Sequence, residues 1–210
     1  MKVRPILFSA PMVRAILAGD KTLTRRNVIR LTGFGKITEF DQSDTAGYDW
    51  HFRDSAMRWN DLRHAELLKS CPYGQVGDRL WVRETWGYNP DHPGMPWHAC
   101  YRADPGHEHD GIKWKPSIHM PRAACRILLE ITGVRVERLQ DISEADAVAE
   151  GCRAVPGAQW QSFEEARAGL PMHDHKAVDA FEALWEDLNG DDSWDANPWV
   201  WVVEFRRIQP

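Results

Sequence analysis

The sequence predicts an α+β fold in which one small sheet of several strands is accompanied by a few short helices. Apolar residues alternate with other residues along 79–83, 126–136 and 199–208, which is the period of a β-strand. Helical patterns are few and lie at separate places, whereas a wound parallel sheet would alternate helices with strands. A small curled sheet or β-barrel buries such strands, and 210 residues are enough for the core of one domain.

The first predicted helix begins near Pro11 and ends at Gly19. Proline is tolerated in the first turn of a helix and glycine is common just past its end. Apolar pairs at i,i+4 spacing, Met12 with Ile16 and Val13 with Leu17, give this helix a buried face. A β-prone run follows at 21–26, so a helix-to-strand junction is predicted at residues 19–22.

The predicted middle strands begin with a turn at Gly77 and Asp78. In the strand that follows, Leu80 and Val82 share one face, and Trp81 and Arg83 share the other. Residues 97–101 are predicted to form another strand, followed by a loop over 104–116.

The long strand predicted over 126–136 directs Ile127, Leu129 and Ile131 to one face. Gly133 interrupts this pattern, which predicts a β-bulge there.

Two further helices and a closing strand are predicted in the last third of the chain. Ser143 caps a short helix that Gly151 ends. The second helix ends at 189–190, and its apolar face is predicted to consist of Val178, Phe181, Trp185 and Leu188. The closing strand, 199–208, places Trp199, Trp201, Val203 and Phe205 on one face, and Trp185, Trp199 and Trp201 are predicted core residues.

The domain organisation predicted is a single domain over residues 1–210 with two insertions. Residues 31–70 and 153–175 are polar and mixed in composition, and they interrupt the regular pattern of strands and helices. No internal repeat and no low-complexity stretch is present.

Composition argues for a cytoplasmic protein. No apolar run approaches the roughly 20 residues needed to span a bilayer, and the first residues lack the apolar segment of a signal peptide. The four cysteines lie far apart without a CxxC pair, so free thiols are predicted rather than disulfides or a zinc site.

Charge is unevenly distributed along the chain. The net charge is -5, yet residues 1–40 carry eight basic and two acidic side chains, and residues 141–195 carry fourteen acidic and three basic ones. This distribution allows a local basic site, but the chain as a whole is not basic, as a non-specific nucleic-acid binder usually is. The alternative is that these segments are solvated faces of opposite charge.

Phosphate-binding, dinucleotide-binding and metalloprotease motifs are absent. Two pairs of histidines, His107 with His109 and His173 with His175, lie in polar loops without identifiable further ligands. No metal and no cofactor is predicted.

The segment 19–26 carries the strongest chemical pattern, a lysine three residues before a threonine. Strand alternation alone would place Lys21 and Thr24 on opposite faces, whereas a bend at the junction would bring the amine beside the hydroxyl. The residue types by themselves favour a solvated lysine and ordinary strand threonines.

The run 18–26, Ala-Gly-Asp-Lys-Thr-Leu-Thr-Arg-Arg, resembles the signature of the ASCH domain, which has a PUA-like β-barrel fold. The turn and strand from Gly77, the strand and helix at 139–151 and the closing strand at 199–208 resemble further landmarks of that family in the same order. Four other segments, 71–74, 80–86, 117–122 and 194–199, resemble the larger ASCH proteins often encoded by phages and prophages. The resemblance leaves out only the two insertions.

The resemblance implies chemistry on nucleosides. Small bacterial ASCH enzymes similar to this chain remove the acetyl group from N4-acetylcytidine with a lysine, a threonine and a glutamate. These fall on Lys21, Thr24 and Glu150, and the arginine that closes the motif falls on Arg26, a substrate-binding residue. The trio is chemically reasonable, because amide hydrolysis needs a nucleophile, a base and a proton donor.

In that scheme the hydroxyl of Thr24 is the nucleophile and Lys21 takes its proton. Lys21 can do so if burial, or the neighbouring Arg25 or Arg26, lowers its pKa. Glu150 lies at a helix C-terminus, where the macrodipole disfavours negative charge, so it is expected to hold a proton for the leaving amine.

Recognition of the base is predicted for Trp81, Arg83, Glu84 and Trp86. The tryptophans offer faces for stacking, Glu84 an acceptor for a base amine, and Arg83 a donor to O2 or a phosphate. The alternative is that both tryptophans are packing residues. Three weaker candidates follow from the resemblance alone, namely Ser117, His119 and Arg122.

Three functions remain open on this basis. The first is an amidohydrolase acting on N4-acylated cytosine nucleosides, and the second is a PUA-like module that binds RNA or a modified base without turnover. The third, an RNA-cleaving enzyme, ranks last because no pair of histidines is spaced for acid-base cleavage. The expected partners are a small nucleoside or an RNA base and no membrane, and the sequence assigns no oligomeric state.

Overall fold

The structure is a computed structural model that describes residues 1–88, 99–106, 111–155, 159–161 and 176–208. Its elements in chain order are β1 (Val3–Leu7), α1 (Ala10–Ala18), β2 (Leu23–Asn27), β3 (Arg30–Leu31), β4 (Gly35–Gln42), β5 (Trp50–Asp54), β6 (Trp59–Leu62), α2 (His64–Lys69), β7 (Arg79–Arg83), β8 (Trp86–Tyr88), β9 (Ala99–Tyr101), β10 (Leu128–Arg138), α3 (Glu144–Ala149), β11 (Arg153–Val155), β12 (Gln159–Gln161), α4 (Ala177–Asn189) and β13 (Trp199–Ile208). The α+β class is therefore observed.

The central sheet has five strands in the order β1-β7-β10-β13-β2. Strands β1 and β7 are parallel, and the other neighbours are antiparallel. Leu80 and Val82 of β7 are buried as the alternation predicts. Strand β13 differs from its prediction, because Val200, Trp201, Val202 and Val203 are all buried. Both of its faces are covered along this stretch, so alternation does not separate a core face from a solvent face there.

The sheet is not closed into a barrel, which corrects the predicted architecture. Within the described residues its order ends at β1 on one side and at β2 on the other. These edge strands are joined by helix α1 rather than by a hairpin, and Met12, Val13 and Ile16 of that helix are buried.

The predicted bulge is present in β10. The register with β13 shifts between Ile131 and Gly133. A Cβ added at Gly133 would lie 2.6 Å from Oε2 of Glu204, so the close approach of this carboxylate requires glycine.

The predicted helix ends agree with the structure. Gly19 caps α1 with a φ of 85°, in the left-handed region that glycine adopts without strain. The hydroxyl of Ser143 accepts the N–H of Asp146 at 3.1 Å at the start of α3. Gly151, which follows α3, also has a positive φ, of 104°.

Helix α4 buries a face that is rotated from the predicted one. Phe181 and Trp185 are buried as expected, but Leu188 is 45% exposed and Val178 is only half-buried. The remaining buried positions are Ala177, Ala180 and Leu184. The prediction followed the largest apolar side chains, whereas the closest packing uses small alanines that let the helix approach its neighbours.

The first predicted insertion, 31–70, is a four-stranded antiparallel sheet, β3-β4-β5-β6, followed by α2. It is joined to the central sheet by aromatic contacts. The ring of Trp50 is edge-on to Trp199 at 4.8 Å and stacks on Phe40 at 5.2 Å. Trp199, a predicted core residue, is only half-buried, and its ring packs against this second sheet. Of the second predicted insertion, the described part contains β11 and β12, which pair as antiparallel strands.

The four cysteines are thiols in the structure and none forms a disulfide. Among the helices in the described ranges, none has the length and apolarity to cross a membrane. The four histidines of the two predicted pairs, and Trp97 of the predicted strand at 97–101, lie outside the described residues.

Candidate functional site

A cavity of about 530 Å³ opens beside β2, between the end of β1 and helix α4. Its walls carry four aromatic residues, Phe8, Tyr73, Phe181 and Trp185. Its polar lining includes Thr24, Arg25, Arg26, Asn27 and Glu150. A cavity of this volume that combines aromatic walls with a few grouped polar side chains is typical of a small-molecule site.

A buried ion pair lies behind the wall of this cavity. Nζ of Lys21 donates to Oε2 of Glu150 at 2.5 Å and to the main-chain carbonyl of Glu150 at 2.7 Å. The side chains are 0% and 3% exposed. Since Glu150 caps the C-terminus of α3, the lysine also satisfies a carbonyl that the helix leaves unpaired.

Main-chain hydrogen bonds hold Lys21 at the junction between α1 and β2. The N–H groups of Asp20 and Lys21 both donate to the carbonyl of Ala15, at 2.9 and 3.2 Å. The N–H of Thr22 donates to Ala149 at 2.9 Å, and the carbonyl of Thr22 accepts from Phe205 at 2.8 Å. The junction is thus bonded to α1, to α3 and to β13. This is the bend by which Lys21 departs from strand alternation.

Thr24 follows on β2 and lines the cavity itself. It is 1% exposed and is paired with Val203 of β13. Both hydrogen bonds of Lys21 Nζ go to Glu150 rather than to the Thr24 hydroxyl. The structure therefore brings Thr24 and Glu150 to one cavity, with Lys21 buried behind Glu150.

Burial lowers the pKa of Lys21, as the sequence predicts for a lysine that acts as a base. Desolvation is the largest cause, attraction to Glu150 opposes it, and repulsion from Arg26 adds to it. The expectation for Glu150 changes, however. It is not an isolated carboxyl group at a helix end, because Lys21 lies on Oε2 and Nη1 of Arg25 lies 3.7 Å from Oε1.

Arg25 is a residue of this site that the sequence analysis did not assign to binding. Its guanidinium is buried, bonds Glu137 of β10, and bonds Oδ2 of Asp146 at 2.7 Å. It also lies 5.7 Å from the ring centre of Phe181. Because Asp146 and Glu150 lie on α3 or at its end, Arg25 ties β2 to the element that carries Glu150. The position of Arg25 between Thr24 and Arg26 in the motif is the sequence signal from which its place in the site could be predicted.

Three residues of the cavity lining hold buried polar atoms that have no hydrogen-bond partner among the described residues. They are Nε and Nη1 of Arg25, Oδ1 of Asn27 and Oε1 of Glu150. Buried polar groups without partners cost about 1–3 kcal/mol each, so native proteins rarely keep them. A ligand that offers both a donor and an acceptor would satisfy Glu150 and Arg25 together.

Arg26 lies in the cavity wall, where the resemblance places a substrate-binding arginine. Its Nη2 donates to the carbonyl of Leu7 at 2.8 Å, and its guanidinium lies 5.4 Å from the ring centre of Phe8. These contacts fix the arginine between the end of β1 and the start of α1.

Glu84 and Trp86, which are predicted to recognise the base, are not among the residues that line this cavity. Glu84 is 1% exposed, and both its oxygens accept from Arg126 at 2.9 Å. Burial raises the pKa of Glu84, and Arg126 opposes that rise. Trp86 packs in a separate small cluster with Met120. Thr85 lines the cavity instead, because successive side chains of an extended chain point to opposite sides.

Trp81 and Arg83 also lie outside the cavity lining. The guanidinium of Arg83 lies 5.3 Å from the ring centre of Trp81 and donates to the carbonyl of Ile118. Their strand is next to β1, whose last residue, Leu7, does line the cavity. Of the weaker candidates, Ser117 lines the cavity, whereas His119 and Arg122 are exposed outside it.

No group of three potential metal-ligating side chains occurs in the part of the chain that the structure describes. The buried charged residues at the cavity are instead paired with one another, so their arrangement suits proton transfer and hydrogen bonding to an organic ligand.

Comparisons with known proteins add one similar structure. No family model matches the chain, and no curated protein matches it. Among solved structures the chain is similar to a high-resolution crystal structure of an ASCH domain from Lactobacillus crispatus JV V101. The identity is 12% and the TM-score 0.38, over 100% of this chain and 81% of that one.

Proposed function

We propose that the chain is a larger ASCH domain of the PUA-like superfamily and that it removes the acyl group from N4-acetylcytidine or a related N4-acylated cytosine nucleoside. The observation that carries this proposal is the cavity in which Thr24 and Glu150 lie together, with Lys21 bonded to Glu150 behind them. The motif at 18–26, from which the family resemblance starts, supplies two of these three residues.

The cavity suits a pyrimidine nucleoside in size and in chemistry. Its volume of about 530 Å³ lies in the range of small-molecule sites. Phe8, Tyr73, Phe181 and Trp185 offer aromatic faces against which a base can stack. Oε1 of Glu150, which is buried without a partner among the described residues, accepts the N–H of an exocyclic amide.

The reaction begins with proton transfer within the buried pair. Lys21 passes a proton to Glu150 and becomes a neutral amine, and the lowered pKa of Lys21 supports this step. The amine turns toward Thr24 and takes the proton of its hydroxyl, and the oxygen attacks the acyl carbon. Glu150 returns its proton to the exocyclic nitrogen as the C–N bond breaks, which releases the cytosine amine.

Water completes the reaction. It attacks the acyl carbon of the ester on Thr24 as Glu150 takes one of its protons. Glu150 passes that proton to the Thr24 oxygen as the C–O bond breaks, which releases the carboxylic acid and the free hydroxyl. Lys21 has kept the proton of Thr24 as an ammonium since the first step, so its pair with Glu150 is restored and one water has been consumed.

A second candidate function is binding of a modified base or of RNA without turnover. One observation favours it: Lys21 Nζ directs both its hydrogen bonds at Glu150, and the Thr24 hydroxyl receives none from it. A hydroxyl without a general base beside it is a weak nucleophile. The same cavity would then bind the nucleobase without hydrolysing it.

Incubation of the protein with N4-acetylcytidine, followed by chromatography, tests the proposal. We expect cytidine from the wild type, and none above background from Thr24→Ala or Glu150→Gln. Thr22→Ala is the matched control, because Thr22 is the exposed threonine two positions away and should keep full activity. Equal product from Thr24→Ala would contradict the mechanism, and tight binding without product would favour the second candidate.

A further inference from the structure

A second cavity, of about 320 Å³, adjoins the first. Three residues, Asn27, Ile29 and Tyr73, line both cavities. The two cavities therefore lie next to each other, with these three residues between them. A ligand whose base lies in the larger cavity has the smaller one as its neighbour.

The smaller cavity is basic. Arg4 and Arg30 line it. Burial raises the pKa of Tyr73, which also lines it, and the positive charge of Arg26 nearby opposes that rise. Arg4 bonds Asp78 through Nη1 at 2.8 Å. Arg30 is exposed and forms no ion pair with any residue the structure describes. Its guanidinium therefore keeps its donors for an anion that enters the cavity.

We propose that this second cavity binds a phosphate group attached to the nucleoside, so that the ligand of the site is a nucleotide or a base within an RNA strand rather than a free nucleoside. Arg30 is the residue that contacts the phosphate, and Arg4 adds positive charge beside it. The inference rests on the proposed function only in placing a base in the larger cavity.

Phosphate is the anion that this geometry favours. A nucleotide carries its phosphate on the sugar, one ring away from the base, and the second cavity adjoins the first across Asn27, Ile29 and Tyr73. Guanidinium groups form charge-assisted and bidentate hydrogen bonds with phosphate oxygens. The remaining lining of Pro5, Ile29, Pro72 and Tyr73 lowers the local dielectric and strengthens that attraction.

Calorimetric titration of the wild type with cytidine and with cytidine 5′-monophosphate tests the inference. We expect the monophosphate to bind about tenfold more tightly, a preference that falls as salt is added. Arg30→Gln should abolish most of this preference and leave the affinity for cytidine within about twofold. A dinucleotide whose one phosphate is internal separates the two sources, because tightening with it assigns an RNA strand, and tightening with the monophosphate alone assigns a free nucleotide.

Lys113→Gln is the control. Lys113 is exposed and is not among the residues that line either cavity, so its replacement removes one positive charge outside the site. It should keep the wild-type preference for the monophosphate. Equal loss of preference in both variants would overturn the assignment to this cavity, as would equal affinity of the wild type for cytidine and its monophosphate.

Measurements of turnover keep the inference distinct from the proposed function. If neither N4-acetylcytidine nor its 5′-monophosphate is hydrolysed while cytidine monophosphate still binds more tightly than cytidine, the amidohydrolase proposal fails and the phosphate site stands. If both acylated compounds are hydrolysed with equal kcat/KM, the phosphate site fails and the amidohydrolase proposal stands.

Discussion

Lys21 and Glu150, 129 positions apart in the sequence, form an ion pair in which Nζ lies 2.5 Å from Oε2 and both side chains are buried. Each charge has lost its hydration, so each depends on the other for compensation. Among the described residues, Oε1 of Glu150 has only the contact of 3.7 Å with Nη1 of Arg25. The pair therefore links the stability of the fold to the chemistry of the cavity, because a proton gained or lost by one partner leaves the charge of the other uncompensated.

Breaking this pair on one side should cost much more stability than removing both partners. Glu150→Leu leaves a buried ammonium, and we expect the free energy of unfolding in urea to fall by about 3–5 kcal/mol. The double variant Lys21→Met with Glu150→Leu should recover about 1–3 kcal/mol relative to the sum of the single losses. Arg206→Gln, which removes an exposed pair with Glu130, is the control and should cost about 1 kcal/mol or less. Additive single losses would mean that the two charges are not coupled.

The lowered pKa of Lys21 makes stability depend on alkaline pH with a defined sign. The unfolded chain keeps this proton up to the ordinary lysine pKa of about 10.5, whereas the folded chain loses it at a lower pH. Between those two pKa values the unfolded state binds more protons, so the contribution of Lys21 to the free energy of unfolding rises with pH. Below the folded-state pKa that contribution is constant.

The measurement is urea unfolding of the wild type and of Lys21→Met at a series of pH values up to 10.5. The difference between them isolates Lys21, because other groups act in both proteins. Burial raises the pKa of Cys71 to about 11, for example, which lowers stability as pH rises in either protein. We expect the free energy of unfolding of the wild type, minus that of Lys21→Met, to increase as the pH rises. A decrease would contradict the lowered pKa of Lys21.

We expect Glu84 to contribute to the stability of the fold and not to the binding of the ligand. Glu84→Gln weakens the two hydrogen bonds from Arg126, and we expect about 1–3 kcal/mol less free energy of unfolding. Affinity for cytidine compounds should stay within about twofold of the wild type, since the nearest effect is on packing behind the cavity. Glu150→Gln is the comparison that should lose binding. A large loss of affinity in Glu84→Gln would restore the role that the sequence suggested for this residue.

Tryptophan fluorescence should report ligand binding through Trp185 rather than through Trp86. Trp185 lines the cavity, and Trp86 packs against Tyr88 at 4.9 Å in a separate cluster. A base that stacks in the cavity should quench Trp185, so Trp185→Phe should remove most of the fluorescence change during titration. Trp86→Phe should keep it. The reverse result would place the ligand beside β8.

Much of the local structure was predictable because its signals lie within a few residues of one another. Pro11 and Gly19 mark the ends of α1, Ser143 caps α3, and Gly133 marks the bulge in β10. Each of these is a short-range property of the backbone or of one hydrogen bond. Lys21, Thr24 and Glu150 were named from a resemblance in sequence, and Thr24 and Glu150 do meet at one cavity.

The differences between sequence and structure concern faces and partners. A role in base recognition is predicted for Glu84 and Trp86 because they follow an apolar strand, and the structure places Thr85, between them, in the cavity lining. Leu188 was assigned to a buried face, although the helix packs through Ala180 and its neighbours. In each case the local pattern is compatible with two orientations of the side chains. The choice between them depends on which other elements each face packs against.

The class of fold, the helix ends and the motif around Lys21 can be read from the sequence, because these features depend on spacing along the chain. It is the packing of the chain that leaves the sheet open, pairs Arg25 with Glu137 and Asp146, and pairs Lys21 with Glu150. Those contacts join residues more than a hundred positions apart. Their free energies depend on burial and on which charge faces which, and neither quantity exists until the strands and helices have packed.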